Sequence, residues 1–172
     1  MIKTIVFGIL ALLIFRKFRP ALSRPSSHGF YVFFAFESLL VLFYLNMGPG
    51  EGPAGQWIPS AILLAAAALT AVSGFWALKR YGMAVDDWED TTRLIDRGIF
   101  RYIRHPLFAG LMLLAMGIFI RRVTGFAALA CFMVLLFLFL ASRAEEKENL
   151  EKFGDDYRTY QHQTKRYIPF LI

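Results

Sequence analysis

The chain has 172 residues, 57% of them hydrophobic and 18 of them phenylalanine, with a mean hydropathy of +0.49. Soluble domains run to about 45–50% apolar, so this composition excludes an ordinary soluble domain and leaves one compact membrane-embedded unit. The net charge is +6, but the basic residues lie in loops between apolar runs. This excludes the basic face of a nucleic-acid binder. The single cysteine, Cys131, lies in an apolar run; it reads as a small buried hydrophobe and rules out a disulfide within the chain.

Five apolar segments follow in order: Ile2–Phe15, Phe30–Met47, Trp57–Leu78, Pro106–Ile120 and Val123–Ala141. A membrane span needs about 20 residues at about 1.5 Å of rise each, and the second, third and fifth meet that on their own. The first is short, and Arg16-Lys17-Phe18-Arg19 follows it as a stop-transfer pattern, not as a cleavage site. The fourth gives only about 22 Å of helix against a hydrocarbon core of about 30 Å. It runs through the polar turn Arg121–Gly125 into the fifth, which predicts a helical hairpin. The predicted fold is therefore all-α: a polytopic membrane bundle of about five transmembrane helices, the last two a hairpin, with an amphipathic tail helix.

Basic residues set the orientation. Sixteen of the 19 Lys and Arg fall in 16–29, 79–105 and the tail from Ser142. That asymmetry puts the N-terminus outside, with loop 79–105 and the C-terminus in the cytoplasm. Loop 48–56, rich in Gly and Pro, is a turn-rich external connector. There is no internal repeat.

The polar chemistry collects on the cytoplasmic side. Asp86-Asp87-Trp88-Glu89-Asp90 reads as a solvated acidic loop. Arg104-His105-Pro106 reads as the mouth of a membrane helix, since proline favours the first helical turn. Taken singly, Arg104 is an ordinary lipid-headgroup anchor and His105 a hydrogen-bonded structural histidine. His28, His105 and His162 are dispersed without metal-ligand spacing, so no metal site is expected. The fifth segment continues at helical spacing into Arg143, Glu145 and Glu146. The hairpin returns these residues to the membrane face of Arg104 and His105, where a convergent set of Arg, His and Glu is expected. Tyr157 and Tyr160, one turn apart, predict the tail helix.

Gly98-x-Phe-Arg-Tyr-x-Arg-His-Pro-x-Phe-x-Gly110, then Glu145-Glu146, Phe153-Gly154-x-x-Tyr157-x-x-Tyr160 and Ile168-Pro169 resemble the isoprenylcysteine carboxyl methyltransferase family and, more loosely, the phospholipid N-methyltransferases. The resemblance covers roughly residues 80–172. It implies S-adenosylmethionine as cofactor, a lipophilic acceptor and a division into a three-helix part, 1–78, and a catalytic part, 79–172. By resemblance, Leu94, Ile95, Phe100, Tyr102, His105, Pro106, Leu107 and Phe108 form the cofactor wall, and Glu145 is a cofactor-contacting carboxylate. Arg104 and Glu146 match polar groups near the transferred methyl, and Arg143 a substrate contact. Phe100 and Phe108 stand where tyrosine is common in that family, and Thr92 and Arg93 replace its usual polar residues ahead of Leu94. The acceptor stays open among a prenylated-protein carboxylate, a phospholipid amine, a phenolic lipid hydroxyl and a small thiol. Two other classes stand beside this one: an NADPH-dependent membrane reductase of the sterol-reductase type, and a non-enzymatic membrane scaffold.

Overall fold

The computed structural model describes residues 2–47, 54–82 and 94–168. Its regular structure is helical throughout: α1 (Ile2–Leu22), α2 (His28–Asn46), α3 (Trp57–Tyr81), α4 (Pro106–Arg121), α5 (Gly125–Phe153) and α6 (Asp155–Gln163), with single 3-10 turns at Ala54–Gln56 and Gly98–Arg101. Among the described residues, α2, α3 and α5 are long and apolar enough to cross a membrane, and α4 is a shorter apolar helix of 16 residues. The chain is a polytopic membrane protein. α1 continues past Phe15 through Arg16, Lys17 and Arg19 to Leu22, because Arg, Lys and Leu are strong helix formers and Pro20 falls only in its last turn. The expected acidic loop 86–90, with Thr92 and Arg93, lies outside the described residues.

Polar caps set two of the starts. The Ser27 hydroxyl accepts the Phe30 N–H at 3.2 Å ahead of α2, and the Thr124 hydroxyl accepts the Ala127 N–H at 3.2 Å at the start of α5; each satisfies a donor that the first helical turn would leave open. Only residues 122–124 separate α4 from α5, the short turn expected of a hairpin.

The chain divides into two compact units. In the first, Met1–Leu64 with Met112–Glu145, α1 packs on α2 through Phe15 and Phe18 against Phe33, at 6.3 and 6.4 Å between ring centroids. Phe34 of α2 stacks on Phe137 of α5 at 5.3 Å. The buried Ser60 hydroxyl of α3 donates to the Gly117 carbonyl of α4 at 2.8 Å. Lipid tails are as apolar as leucine, so helices in a bilayer associate through close packing and such hydrogen bonds. The buried face of α5 is accordingly small: Ala127, Ala130, Cys131 and Ala141 beside Val134 and Leu138. Large apolar side chains such as Ile58 and Phe126 point outward, at 71% and 79% exposure.

In the second unit, Ala65–Leu111 with Glu146–Ile172, α3 and α4 meet almost backbone to backbone. A Cβ on Gly110 would lie 3.2 Å from the Ala67 carbonyl oxygen and 3.5 Å from the Ala71 Cβ. α5 stops at Phe153, and Gly154, at φ 57° and ψ −127°, makes the corner into α6. A side chain there would be strained. α6 is the amphipathic tail helix: Tyr157 and Tyr160 are buried, while Asp155, Asp156, Arg158 and His162 are exposed.

The close approach of α3 and α4 yields a prediction. Gly110→Val should lower unfolding stability in detergent by about 1–3 kcal/mol, the usual cost of overpacking, whereas Leu69→Val on the outward face should stay within about 0.5 kcal/mol of the parent chain. Thermal unfolding of the two variants checks both; equal stability would mean that this helix contact has room to spare.

Candidate functional site

The site grows out of the peptide ahead of Pro106. A residue that precedes proline is pushed out of helical geometry into an extended one, so the chain before α4 runs extended with its N–H groups available. The tail takes them up. Arg104 N–H donates to the Lys165 carbonyl at 2.7 Å, His105 N–H to the Arg166 carbonyl at 3.1 Å, and Lys165 N–H to the Tyr102 carbonyl at 3.1 Å. Ile103 and Lys165 form an isolated parallel bridge. The Tyr160 hydroxyl adds a bond to the Phe100 carbonyl at 2.7 Å, which ties α6 to the 3-10 turn. The His105 carbonyl meanwhile accepts the Ala109 N–H at 2.9 Å and opens α4.

This pairing sets three basic side chains, Arg104, His105 and Arg166, around one carboxylate. Glu146, on the end of α5 beyond its apolar stretch, is 6% exposed. Its Oε1 accepts Arg104 Nε at 3.0 Å and Arg166 Nε at 3.1 Å, and its Oε2 accepts Arg166 Nη2 at 2.6 Å. His105 Nε2 lies 3.4 Å from Oε1. Arg104 spans the gap to the tail: its Nη1 donates to the Gln161 carbonyl at 3.1 Å and to the Thr164 carbonyl. These are the orphan carbonyls at the C-terminal end of α6, where a cation is favoured. His105, itself buried, stacks on Phe108 at 5.5 Å with 4° between the ring planes and lies 6.2 Å from the Tyr167 ring.

A carboxylate taken out of water costs several kcal/mol unless opposite charges and hydrogen bonds compensate. Here two guanidiniums and an imidazole surround it, and one guanidinium binds both oxygens in the strong fork arrangement. The effect is mutual: the hydrogen bond to Glu146 raises the Arg166 pKa above its ordinary value, against the opposing effect of burial. With one anion between two fixed cations, the cluster keeps net positive charge.

The remaining expected site residues fall as follows. Ile95 and Pro106 are buried, while Leu94, Phe100 and Leu107 are partly exposed. Tyr102 is 52% exposed and takes part through its backbone. The structure thus gathers Arg104, His105 and Glu146 into one network with Phe108 beside it. Glu145, partly exposed, and Arg143, exposed, lie on α5 in the first unit. Arg166 belongs to the network without having been singled out from sequence. Its signal was the basic pair Lys165-Arg166 set directly ahead of Tyr167-Ile168, past a short amphipathic helix able to fold back.

With this geometry in view, comparison with known proteins is decisive for the family. The phospholipid methyltransferase family pattern matches residues 56–156, well over half the chain. The chain belongs to the phospholipid methyltransferase family. Within curated proteins it is similar to two rice proteins, from Oryza sativa subsp. indica and subsp. japonica, each described as a probable protein-S-isoprenylcysteine O-methyltransferase. Each is 28% identical over 86 residues, which is 49% of this chain and 44% of the rice protein. The chain therefore spans less than half the length of these relatives. No solved structure matches it significantly. Arg104, His105 and Glu146 all fall inside the matched stretch.

The network makes a stability prediction. Glu146→Ala should cost about 3–5 kcal/mol, since it strands two guanidiniums that are largely shielded from water, with side chains 11% and 23% exposed. Asp96→Ala removes an ion pair with Arg97 that is 71–75% exposed and should change stability by less than about 0.5 kcal/mol. Denaturant unfolding of the two variants, followed by helical circular dichroism, measures the contrast.

Proposed function

We propose that this family member transfers a methyl group from S-adenosylmethionine to a lipophilic acceptor at the membrane surface, with residues 79–172 as the catalytic part. The observation that carries the proposal is a buried Arg104–His105–Glu146 network enclosed by the family-matched stretch.

The residues fit that cofactor. Net positive charge on the network suits a carboxylate, which a guanidinium can take by paired hydrogen bonds. The flat stack of His105 on Phe108 offers a surface for an adenine ring. The Glu145 carboxylate suits an ammonium or ribose hydroxyls. When bound, the cofactor supplies a methyl group made electrophilic by its sulfonium. The chain's own part is alignment, since a displacement needs in-line geometry more than acid–base help. In this assignment Arg104 and Glu146 set the polar groups next to the transferred methyl, and Arg143 contacts the acceptor. Leu94, Ile95, Phe100, Tyr102, Pro106 and Leu107 form the cofactor wall and keep water out, which strengthens every charge interaction inside.

An isoprenylcysteine-like carboxylate is the proposed acceptor. Two things support it: the description of the rice relatives and the surplus of positive charge. The skewed distribution of Lys and Arg supports a cytoplasmic site and C-terminus with the N-terminus outside.

Binding of labelled S-adenosylmethionine to the purified protein in detergent tests the cofactor, and a methyl-transfer screen over carboxylate, amine, hydroxyl and thiol lipids tests the acceptor. Saturable binding and transfer to the isoprenylcysteine carboxylate are expected. Glu145→Ala should weaken cofactor binding about tenfold, the equivalent of one charge-assisted hydrogen bond. Arg104→Lys, which keeps the charge but loses the donors that bridge Glu146 to the Gln161 and Thr164 carbonyls, should lower turnover. No binding would overturn the proposal, and transfer to a phospholipid amine alone would reassign the acceptor.

A further inference from the structure

We propose that Arg166 is a positioning residue of this site, and that the segment after α6 completes a site whose other members all lie within the family-matched residues. The matched stretch ends at residue 156, yet the Gln161 and Thr164 carbonyls hold Arg104, and Arg166 holds Glu146. The inference rests on the methyltransferase reading above.

Three features carry it. Arg166 binds both carboxylate oxygens, Nε to Oε1 at 3.1 Å and Nη2 to Oε2 at 2.6 Å. A fork on both oxygens fixes the rotation of the carboxylate about its last bond, which a single contact leaves free. That rotation decides where Oε1 points, and Oε1 is the atom shared with Arg104 Nε and His105 Nε2. Second, Arg166 is set in place by backbone and not by a flexible tether: its carbonyl accepts the His105 N–H, and its neighbour Lys165 pairs with Tyr102 and Arg104. The residue that orients Glu146 is thus built on a strip of the tail paired directly with the one that presents Arg104 and His105. Third, the ring of Tyr167 lies beside His105, so the tail covers the histidine that Glu146 also contacts. Arg166 acts through Glu146 and touches no reacting atom in this scheme.

The test is equilibrium binding of labelled S-adenosylmethionine to the full chain in detergent, with thermal unfolding in its absence, for Arg166→Lys, Arg166→Gln, Glu146→Gln and the double variant R166Q/E146Q. Arg166→Lys keeps the charge without the fork, so it should unfold within about 5 °C of the parent chain and bind about tenfold more weakly. In the Glu146→Gln background, Arg166→Gln should add less than about a twofold change, because the two residues act as one unit. Parent-like binding by Arg166→Lys, or an undiminished loss from Arg166→Gln when Glu146 is already changed, would overturn the role. If the parent chain itself binds no cofactor, the methyltransferase reading fails and takes the role of Arg166 with it; that result is read from the parent alone and is distinct from the other two.

Discussion

The second unit is organised around the burial of one carboxylate. Glu146 is removed from water at the end of α5 and compensated from two directions, by Arg104 ahead of α4 and by Arg166 behind α6. Neither cation could stay in place alone: Arg104 also needs the carbonyls of Gln161 and Thr164, and Arg166 needs its backbone bond to His105. An ion cluster of this kind adds little net stability over an apolar core, because desolvation offsets most of the attraction. What it does is make alternatives expensive. Any arrangement that separates the tail from the start of α4 leaves a charge buried without its partner. Specific positioning is therefore the larger consequence, and stability the smaller one.

The membrane environment explains why this cluster stands at helix ends. Within the bilayer, helices meet through small residues and few polar bonds, as at Gly110 against Ala67 and at Ser60 against Gly117, and large apolar groups face outward. A guanidinium and a carboxylate in that zone would have nothing to bind except one another. At the mouth of α4, the extended residues required by Pro106 supply free backbone groups, and the C-terminal end of α6 supplies free carbonyls. Backbone left unpaired by helix ends becomes the frame on which the charged side chains are mounted.

Much of this was legible in the sequence, for reasons that differ by element. The apolar runs for α2, α3 and α5 are long and nearly uninterrupted, so the physics of crossing a bilayer reads directly off them. α1 and α5 run past their apolar parts, to Leu22 and Phe153, since helix propensity does not stop where hydropathy does. Tyr157 and Tyr160 marked the buried face of α6 by simple helical spacing. Arg104, His105 and Glu146 were legible because chemically able side chains stood at the ends of two segments joined by a short turn. Arg166 was not, because its place depends on a parallel pairing between residues about sixty apart, and no local periodicity encodes which two extended strips will meet. Composition shows which residues can carry charge into an apolar protein; it does not show which of them will share a partner.

That distinction bears on how such a site does chemistry. In the proposed reaction the chain supplies no strong acid or base and no nucleophile, so its contribution must be the placement of charge before substrate arrives. Charges placed in advance stabilise a transition state without reorganising at the moment of reaction, which is where most of their value lies. A guanidinium on a free side chain would lose that advantage to its own mobility. Arg104 does not have that mobility: Glu146 and the end of α6 both grip it, and Glu146 in turn is gripped by Arg166. The network that looks purely structural when taken bond by bond is thus the form that preorganisation takes in the proposed reaction.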